Sequence, residues 1–436
     1  MAKLEVWGGA GEHGRACYFI ANGPVSVLLD CGGKRRAGEE YPLWKPEAIP
    51  LLTTVFLSHA HEDHSVGLPL LYRMGYRGEV WTTRATARRI AANFRMWQGY
   101  AAGQGGEVSY DAEDEGRLCF RYLEDYASEG EWFDAAPGIR ACWGPSGHLI
   151  GSVWILLDVA GCKVFYSGDF TSESSLLRAE LPRPEHCRNL AAAIVDAAYG
   201  ARMESQAEVM EQLVSTIREV GERGGHVFLP VPLQGRGQEL LALLPEALPG
   251  SRIVGEVSLL QGLTKLKEEP AWLLPSALAR IERAIGSIRL QAAGEADRSL
   301  LASGTPAVIV CPDAQLQTDA AQGFYRLLSQ PRNAASNAVI FTGHVYEDSY
   351  ASKIIRRYEA DPSHEHCRIF RIPYKIHQGL PDVCRMLEHL KPRVLLPVHT
   401  DKPKTEQLVS DLAERGYSGA YSLVPGQEID LSADAE

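Results

Sequence analysis

The chain has 436 residues, 45% of them hydrophobic and 23% charged, as expected for a globular protein of two or three domains. Its formal net charge of −11 gives no overall basic footprint of the kind usual in proteins that bind phosphate backbones. No apolar stretch reaches the ~20 residues of a membrane span, and nine dispersed cysteines without a C-x-x-C pair argue against a disulfide framework or zinc ribbon. With no apolar signal segment at the start, these features predict a cytoplasmic protein.

Short strands are predicted for residues 1–60, where Val25–Asp30 and Thr53–Ser58 are apolar runs bounded by glycine or proline turns. Helices are predicted at Arg84–Trp97 and Gln206–Val220, the second because its apolar residues recur at helical spacing. From about residue 200 onward strands and helices alternate, which indicates an α/β layer. The other predicted strands are Val153–Val159, Lys163–Ser167, Ala191–Asp196, Val227–Val231, Ala307–Cys311, Ala338–Thr342 and Arg393–Val398.

The segment Ser58-His59-Ala60-His61-Glu62-Asp63-His64 carries the strongest chemical signal. Three histidines and an aspartate lie within six residues directly after a predicted strand, so their side chains can converge on one point. Imidazole and carboxylate together suit zinc. The alternative, a loop of solvated histidines, is weaker because this pattern arises by chance in roughly one sequence in a thousand. The segment therefore predicts a metal site.

One loop cannot complete two coordination shells, so further ligands must come from elsewhere in the chain. Three candidates stand at predicted strand ends: Gly147-His148-Leu149, Ser167-Gly168-Asp169 and Pro397-Val398-His399. Each one alone is weak, because a single histidine is more often an ordinary core or surface residue.

The order Asp30, His59-x-His61-x-Asp63-His64, His148 and Asp169 resembles the four N-terminal motifs of the metallo-β-lactamase superfamily. Later segments resemble its β-CASP nuclease branch, which includes ribonuclease J and the endonuclease subunit that cleaves pre-mRNA 3′ ends. In the order of that branch's motifs, the matching features are Asp196 in Ala191–Gly200 (motif A), Leu229–Leu241 (the Gly-Arg-x-Gln-Glu segment), His377 (motif B) and His399 (motif C), 22 residues after His377.

The resemblance implies an α/β fold, a four-layer αβ/βα sandwich with an inserted α/β β-CASP domain. Residues 1–199 would form the first part of the metallo-β-lactamase domain, 200–365 the β-CASP domain, and 366–436 the returning part.

The resemblance also implies two Zn²⁺ ions, with Mn²⁺ as an alternative. Asp169 would bridge the two ions, and Asp30 would orient a ligand histidine. The remaining ligands would be His59, His61 and His148 for one ion and Asp63, His64 and His399 for the other.

The catalytic candidates are Asp63, His377 and Asp196. Two zinc ions activate a water for in-line attack on a phosphodiester. His377, held by Asp196, would protonate the leaving oxygen or steady the phosphate. Taken alone, His377 has a second interpretation as a partly exposed histidine at a helix start.

Three segments depart from the β-CASP pattern. Asp196-Ala197-Ala198-Tyr199-Gly200 stands where Glu-Ser-Thr-Tyr-Gly is common, so two hydroxyls are missing. Gly343–Tyr350 replaces a Gly-Tyr-x-x-x-Gly-Thr-Leu-Gly-type loop, and Asp313–Leu316 replaces a glycine-methionine turn. Such loops often present backbone N–H groups to phosphates, and acidic side chains there would repel a polyanion. A histidine at motif C, here His399, instead favours RNA over DNA.

The sequence therefore favours a dinuclear-zinc RNA endonuclease or exonuclease of RNA processing. A hydrolase of a small-molecule ester, thioester or phosphoester is the first alternative, and a non-catalytic nucleic-acid-binding scaffold the second, since fold alone does not settle function. RNA is the expected partner and DNA is less favoured; no membrane association is expected, and a homodimer stays open.

Three other motifs are better explained as turns or solvated loops than as further functional sites. Gly8–Gly14 is glycine-rich but precedes an extended segment, so we expect a turn near the metal cleft and not a nucleotide-binding loop. His364, His366 and Cys367 follow a turn and indicate a solvated loop. Lys34-Arg35-Arg36 could touch a phosphate backbone, although three charges more often form a solvated loop.

Overall fold

The computed structural model describes residues 1–36, 38–103, 109–291, 304–330, 336–362 and 367–432. The chain divides into two compact units. Unit 1 comprises Met1–Ser172, Arg178–Met203 and His377–Glu436, and unit 2 comprises Glu173–Leu177 and Glu204–Ile376. The chain thus leaves unit 1 and returns to it; the domain limits expected from the sequence were 200 and 365. Among the described residues, no helix is both long and apolar enough to cross a membrane.

Unit 1 contains two large sheets. The first has the strand order β21-β1-β2-β3-β6-β7-β8 and the second β20-β13-β12-β11-β10-β9. A short hairpin, β4 (Lys34–Arg36) and β5 (Gly38–Glu40), lies outside both. The strands of the two sheets, numbered along the chain, are β1 (Ala2–Gly8), β2 (Cys17–Asn22), β3 (Val25–Leu29), β6 (Thr54–Phe56), β7 (Val80–Thr82), β8 (Phe120–Tyr122), β9 (Phe133–Ala136), β10 (Ile139–Pro145), β11 (Val153–Val159), β12 (Cys162–Tyr166), β13 (Leu190–Asp196), β20 (Val394–Val398) and β21 (Glu428–Asp430).

Helices cover the outer faces of these sheets, while β11 packs against β2 and β3 between them. On the first sheet, Ile90, Phe94 and Trp97 join one apolar cluster; on the second, Val383 and Leu408 join another. Layers of helix, sheet, sheet and helix result, which confirms the predicted sandwich. The helices are α1 (Glu62–Ser65), α2 (Leu68–Arg73), α3 (Arg84–Gly103), α4 (Ala112–Gly116), α11 (Leu380–Leu390) and α12 (Lys402–Glu414).

Unit 2 is built on one parallel sheet of order β16-β15-β17-β14-β18-β19. In its first helix the apolar residues that recur at helical spacing are buried, and Ser205 caps the start by accepting from the N–H of Glu208. The strands are β14 (Val227–Val231), β15 (Arg252–Glu256), β16 (Arg289–Gln291), β17 (Ala307–Pro312), β18 (Ala338–Phe341) and β19 (Arg368–Arg371). The helices are α5 (Gln206–Glu222), α6 (Arg236–Ala247), α7 (Val257–Leu266), α8 (Ala277–Ser287), α9 (Asp319–Leu328) and α10 (Tyr350–Ala360).

The strands and helices predicted from apolar patterning are confirmed, with small shifts at their ends. Val153–Val159 and Val227–Val231 match the predicted ranges, whereas the helix that begins at Arg84 continues to Gly103. The glycine-rich segment is followed by β2 and not by a helix, as expected.

Gly147 is needed because its backbone is left-handed and closely packed. Its φ is 76°, and a Cβ there would lie 2.2 Å from the carbonyl oxygen of Thr171. Gly161, in the β11–β12 turn, has a comparable φ of 93° but nothing within 4 Å of the corresponding position.

We expect Gly161→Ala to cost about 1–2 kcal/mol of unfolding free energy, the usual penalty of a left-handed alanine. Gly147→Ala should cost about 2 kcal/mol more, because the Thr171 backbone must also move. Urea unfolding of both variants measures the difference. Equal midpoints would contradict the close packing at Gly147.

Candidate metal centre

The candidate site lies in unit 1, where loops follow the ends of strands from both sheets. Asp30 follows β3, the histidine-rich loop follows β6, and Asp169 follows β12. His148 follows β10 and His399 follows β20. Because these strands are buried on both faces, their ends are rigid points from which short loops present side chains.

A first group of donor atoms is formed by His59, His61, His148 and one oxygen of Asp169, all within 4.8 Å of one another. His61 Nδ1 lies 3.1 Å from His59 Nε2 and 3.2 Å from His148 Nε2. Asp169 Oδ2 lies 3.5 Å from His59 Nε2 and 3.4 Å from His148 Nε2. Three imidazoles and a carboxylate oxygen thus converge around one point.

A second group faces the other oxygen of Asp169. Its Oδ1 lies 3.2 Å from His64 Nε2 and 3.5 Å from His399 Nδ1. Asp63 Oδ2 completes the group, 3.7 Å from His64 Nε2 and 3.8 Å from His399 Nδ1. Asp169 therefore stands between the two groups, with one oxygen turned to each.

The donor atoms fit divalent cations. His64 Nε2 is buried and makes no hydrogen bond within the described part of the chain, although it points at two carboxylates. Each neutral imidazole has only one N–H, so the crowded nitrogens of the first group cannot all satisfy one another. Nitrogen and oxygen donors in this number suit zinc and its neighbours in the first transition row.

Protonation of the groups follows from burial and mutual charge. Burial, and then the neighbouring His64, hold the pKa of His59 well below its usual range, so the ring is neutral as a ligand must be. Burial opposes ionisation of Asp169, but His399 and His64 outweigh it and hold its pKa well below the usual range. Burial likewise opposes charge on His64, but Asp169 and Asp63 raise its pKa. Positive charge is thus favoured at the second group.

Asp30 is fully buried and organises the histidine loop. Its Oδ1 accepts the Ser58 N–H at 2.7 Å, and its Oδ2 accepts the Ser58 hydroxyl at 2.6 Å and the Tyr166 hydroxyl at 2.5 Å. His64 Nδ1 lies 2.7 Å from the same Oδ2. Donation from Nδ1–H turns Nε2 toward Asp63 and Asp169, where a bound cation would take the place of the Nε2 proton, the arrangement in which a carboxylate fixes a histidine tautomer.

Backbone strain marks two of these positions. Asp30 and His399 have left-handed φ values of 58° and 67°, uncommon outside glycine. The strained His399 turn is held by its own N–H, which donates to the Gly9 carbonyl at 2.9 Å, and by the Lys402 N–H, which donates to Gly11. The glycine-rich segment is therefore a turn that supports His399, consistent with strain stored at functional sites.

His377, just before α11, lies beside both groups, with its ring centroid 4.8 Å from that of His148. Its Nδ1 is 2.8 Å from Asp196 Oδ2, and its ring centroid is 5.0 Å from that of His399. Asp196 is held in turn by the N–H groups of Phe170 and Ala198, each 3.0 Å from a carboxylate oxygen. Burial opposes charge on the His377 ring, but Asp196 and Asp169 raise the pKa of His377 to about 9. The ring can therefore carry a proton at neutral pH.

The structure brings all the sequence-predicted site residues together, and it adds partners that the sequence did not indicate. Ser58 and Tyr166 bind Asp30, and Gln378 Nε2 donates to the Asp196 carbonyl. Adjacency to the histidine loop is the one signal that could have pointed to Ser58. The histidines at 364 and 366, interpreted as part of a solvated loop, lie outside the described residues.

In unit 2, the side chains of the two loops that depart from the β-CASP pattern form hydrogen bonds with backbone groups of the same two loops. Asp313 Oδ1 accepts the Gln315 N–H at 3.1 Å, and Oδ2 accepts the Thr318 N–H at 2.6 Å. Gln315 joins this turn to the next loop, donating to the His344 carbonyl and accepting from the Tyr346 N–H. These N–H groups are therefore occupied by the chain's own side chains.

Comparison with known proteins shows what this fold and site are similar to. Residues 10–215 match the metallo-beta-lactamase superfamily. Over its full length the fold resembles a crystal structure of a protein of unknown function from Enterococcus faecalis, with a TM-score of 0.57, 14% identity, and coverage of 98% of this chain and 99% of that one.

Three curated relatives agree with this match. A transcription termination factor FttA from Methanothermobacter thermautotrophicus is 27% identical over 94% of this chain and 69% of its own length. An RNase J-like protein from Methanocaldococcus jannaschii is 26% identical over 81% of this chain and 80% of its own. An endoribonuclease, ysh-1 from Neurospora crassa, is 30% identical over 55% of this chain and 28% of its own.

The sandwich fold and the strand-end histidines agree with the match of residues 10–215 to the metallo-β-lactamase superfamily. Among these relatives, the RNase J-like protein and the endoribonuclease agree with the resemblance to the β-CASP nuclease group.

Replacing Asp169 by Asn should release bound divalent metal, because both groups lose the negative charge that they share and one of the two donor oxygens becomes an NH2 group. We expect the apparent affinity to fall by more than the 10–100-fold typical of supporting residues. Metal analysis after dialysis measures the effect. As a matched control, His186→Ala removes an imidazole outside the cluster and should leave metal content unchanged. Wild-type metal content in Asp169→Asn would refute this assignment.

Proposed function

We propose that the chain is a ribonuclease that cleaves phosphodiester bonds of RNA with two zinc ions, one in each donor group. The observation that carries this proposal is the position of Asp169, whose two oxygens face two separate sets of donors. His59, His61 and His148 would hold one ion, Asp63, His64 and His399 the other, and Asp169 would bridge them. Manganese is the alternative metal.

A bound pair of divalent cations supplies an activated water and stabilises charge on phosphate oxygens. The chain's residues do the rest. Asp30 keeps His64 in one tautomer, and Ser58 and Tyr166 keep Asp30 in place. Because the donors lie on rigid strand ends, little reorganisation is needed when substrate arrives.

His377 is the proposed proton donor. Asp196 accepts from its Nδ1–H and so leaves Nε2 for a substrate oxygen. With a pKa raised to about 9, by Asp196 and Asp169 against the effect of burial, the ring holds the proton that a leaving oxygen needs. Asp196 positions His377, while the Tyr199 ring meets it edge-on at 5.7 Å.

RNA is the proposed substrate for two reasons. Two relatives that match this chain over more than two thirds of both lengths carry RNA-related or transcription-related names. In addition, the rings of His377 and His399 lie side by side at the metal centre. We also propose that the protein acts in the cytoplasm. In the Asp313 turn and the loop bonded to it through Gln315, backbone N–H groups already donate to side chains of the same two loops. We therefore expect phosphate contacts to come from side chains elsewhere.

Incubation of the purified chain with end-labelled RNA and DNA of one sequence tests the substrate. We expect RNA to be cut, DNA to be left intact, and cutting to stop with chelator and return with added zinc. A small phosphodiester, bis(p-nitrophenyl) phosphate, serves as a third substrate. If only the small ester is hydrolysed, the enzyme is a small-molecule hydrolase and the RNA assignment is wrong.

Replacing His377 by Ala should lower kcat for RNA by about 10²–10⁴-fold, the usual contribution of a positioned proton donor. Metal content should equal that of the wild type, since no donor of either group is removed. Steady-state kinetics together with metal analysis separate the two effects. Loss of metal from His377→Ala would show that this ring is a ligand and not a proton donor.

A further inference from the structure

Helix α3 is strongly basic within an acidic chain. Its 20 residues include four arginines and no aspartate or glutamate, although the whole chain has a net charge of −11. One of the four, Arg84, is engaged at the helix start, where it pairs with Asp125 at 2.5 Å. The others lie within the helix, where Arg88 and Arg95 are exposed and Arg89 is half-buried.

The exposed arginines belong to one continuous face. Arg88, Ala92, Arg95, Met96 and Gly99, here called the α3 ridge, follow helical spacing and are all exposed. Met96, with 54% of its surface exposed, is the largest apolar side chain on the ridge. Arg95 makes no ion pair or hydrogen bond in the described ranges. Ala92 and Gly99 keep the surface between the two arginines low.

The ridge runs beside the metal-binding loop. Asn93 Nδ2 donates to the carbonyl of Ala60, which lies between His59 and His61. Two turns further along, the Arg35 guanidinium stacks 4.8 Å from the centre of the Tyr100 ring and pairs with Glu62, the neighbour of Asp63. Two positions of the ligand loop are therefore tied to the flank of α3 that borders the ridge.

The chemistry of the ridge suits a polyanion. Arg88 and Arg95 are seven residues apart, about 10 Å along the helix axis, so they would contact different phosphates. A single exposed apolar side chain offers too little apolar area for a typical protein interface core. The helix carries no carboxylate of its own, and its acidic neighbour Glu115 accepts a hydrogen bond from Gln98 and lies within electrostatic range of Arg95.

We propose that the α3 ridge binds the phosphate backbone of single-stranded RNA next to the bond being cleaved. Arg88 and Arg95 contact phosphates, and Met96 packs under a base or ribose. This inference rests on the proposed ribonuclease function and adds to it the surface that holds the substrate outside the metal centre.

The double substitution Arg88→Glu/Arg95→Glu tests the ridge in the metal-loaded full chain. We expect kcat/KM for RNA to fall at least about tenfold, because two phosphate contacts become repulsive. Hydrolysis of bis(p-nitrophenyl) phosphate, which is too small to reach the ridge, should stay within about twofold of the wild type. The slope of log affinity for RNA against log salt should drop by about 1.4, at about 0.7 per phosphate of a single strand.

Arg140→Glu/Arg415→Glu is the matched control, since both arginines are exposed in unit 1 and the charge change is the same. It should leave RNA cleavage within about twofold of the wild type. Equal behaviour of the two double variants overturns the ridge proposal, and so does a parallel loss on RNA and the small ester. If the wild-type chain does not cleave RNA at any salt concentration, the proposed ribonuclease function is wrong instead. The comparison of the two double variants cannot give that result, because it requires a wild-type chain that cleaves RNA.

Discussion

The Asp169 carboxylate is the interaction on which the rest of the site depends. It is 2% exposed, and burying an ionised carboxylate is costly unless opposite charge or strong hydrogen bonds compensate. Here the surrounding imidazoles and any cation they bind provide that compensation, and each oxygen serves a different set of donors. Its position depends on Gly168, whose φ of 54° and close approach to Ser58 leave no room for a side chain. A backbone constraint thus sets the electrostatic centre of the molecule.

The two sheets matter because neither one alone could assemble these donors. The histidine loop and Asp30 come from the first sheet, whereas His148, Asp169 and His399 come from the second. The Asp30–Tyr166 hydrogen bond joins the sheets directly at the site. Packing energy that holds the sheets face to face therefore also fixes distances between donors, and a shift of about 1 Å between the sheets would separate the two halves of each donor group.

The sequence predicts those features that depend on short stretches of the chain. Apolar runs located the strands, and the density of histidine between residues 59 and 64 located the loop. Contacts between distant positions were not accessible: Tyr166 is an ordinary strand residue until its hydroxyl reaches Asp30, 136 positions earlier. The sequence predicts that the acidic side chain of Asp313 repels a polyanion, whereas in the structure its carboxylate accepts two nearby N–H groups. Pattern gives residue type and spacing, but side-chain direction is decided by tertiary packing.

Net charge is a poor guide to what such a protein binds, because it counts every carboxylate equally wherever it lies. Asp30, Asp169 and Asp196 are each 2% exposed or less, and their negative charge is balanced by histidines and N–H groups inside unit 1. A field that steers a polyanion depends instead on which charges reach solvent and where they cluster. On α3 the arginines lie on one helix without any carboxylate, beside the loop that carries most of the donors. An acidic chain can therefore offer a basic approach to its reactive centre.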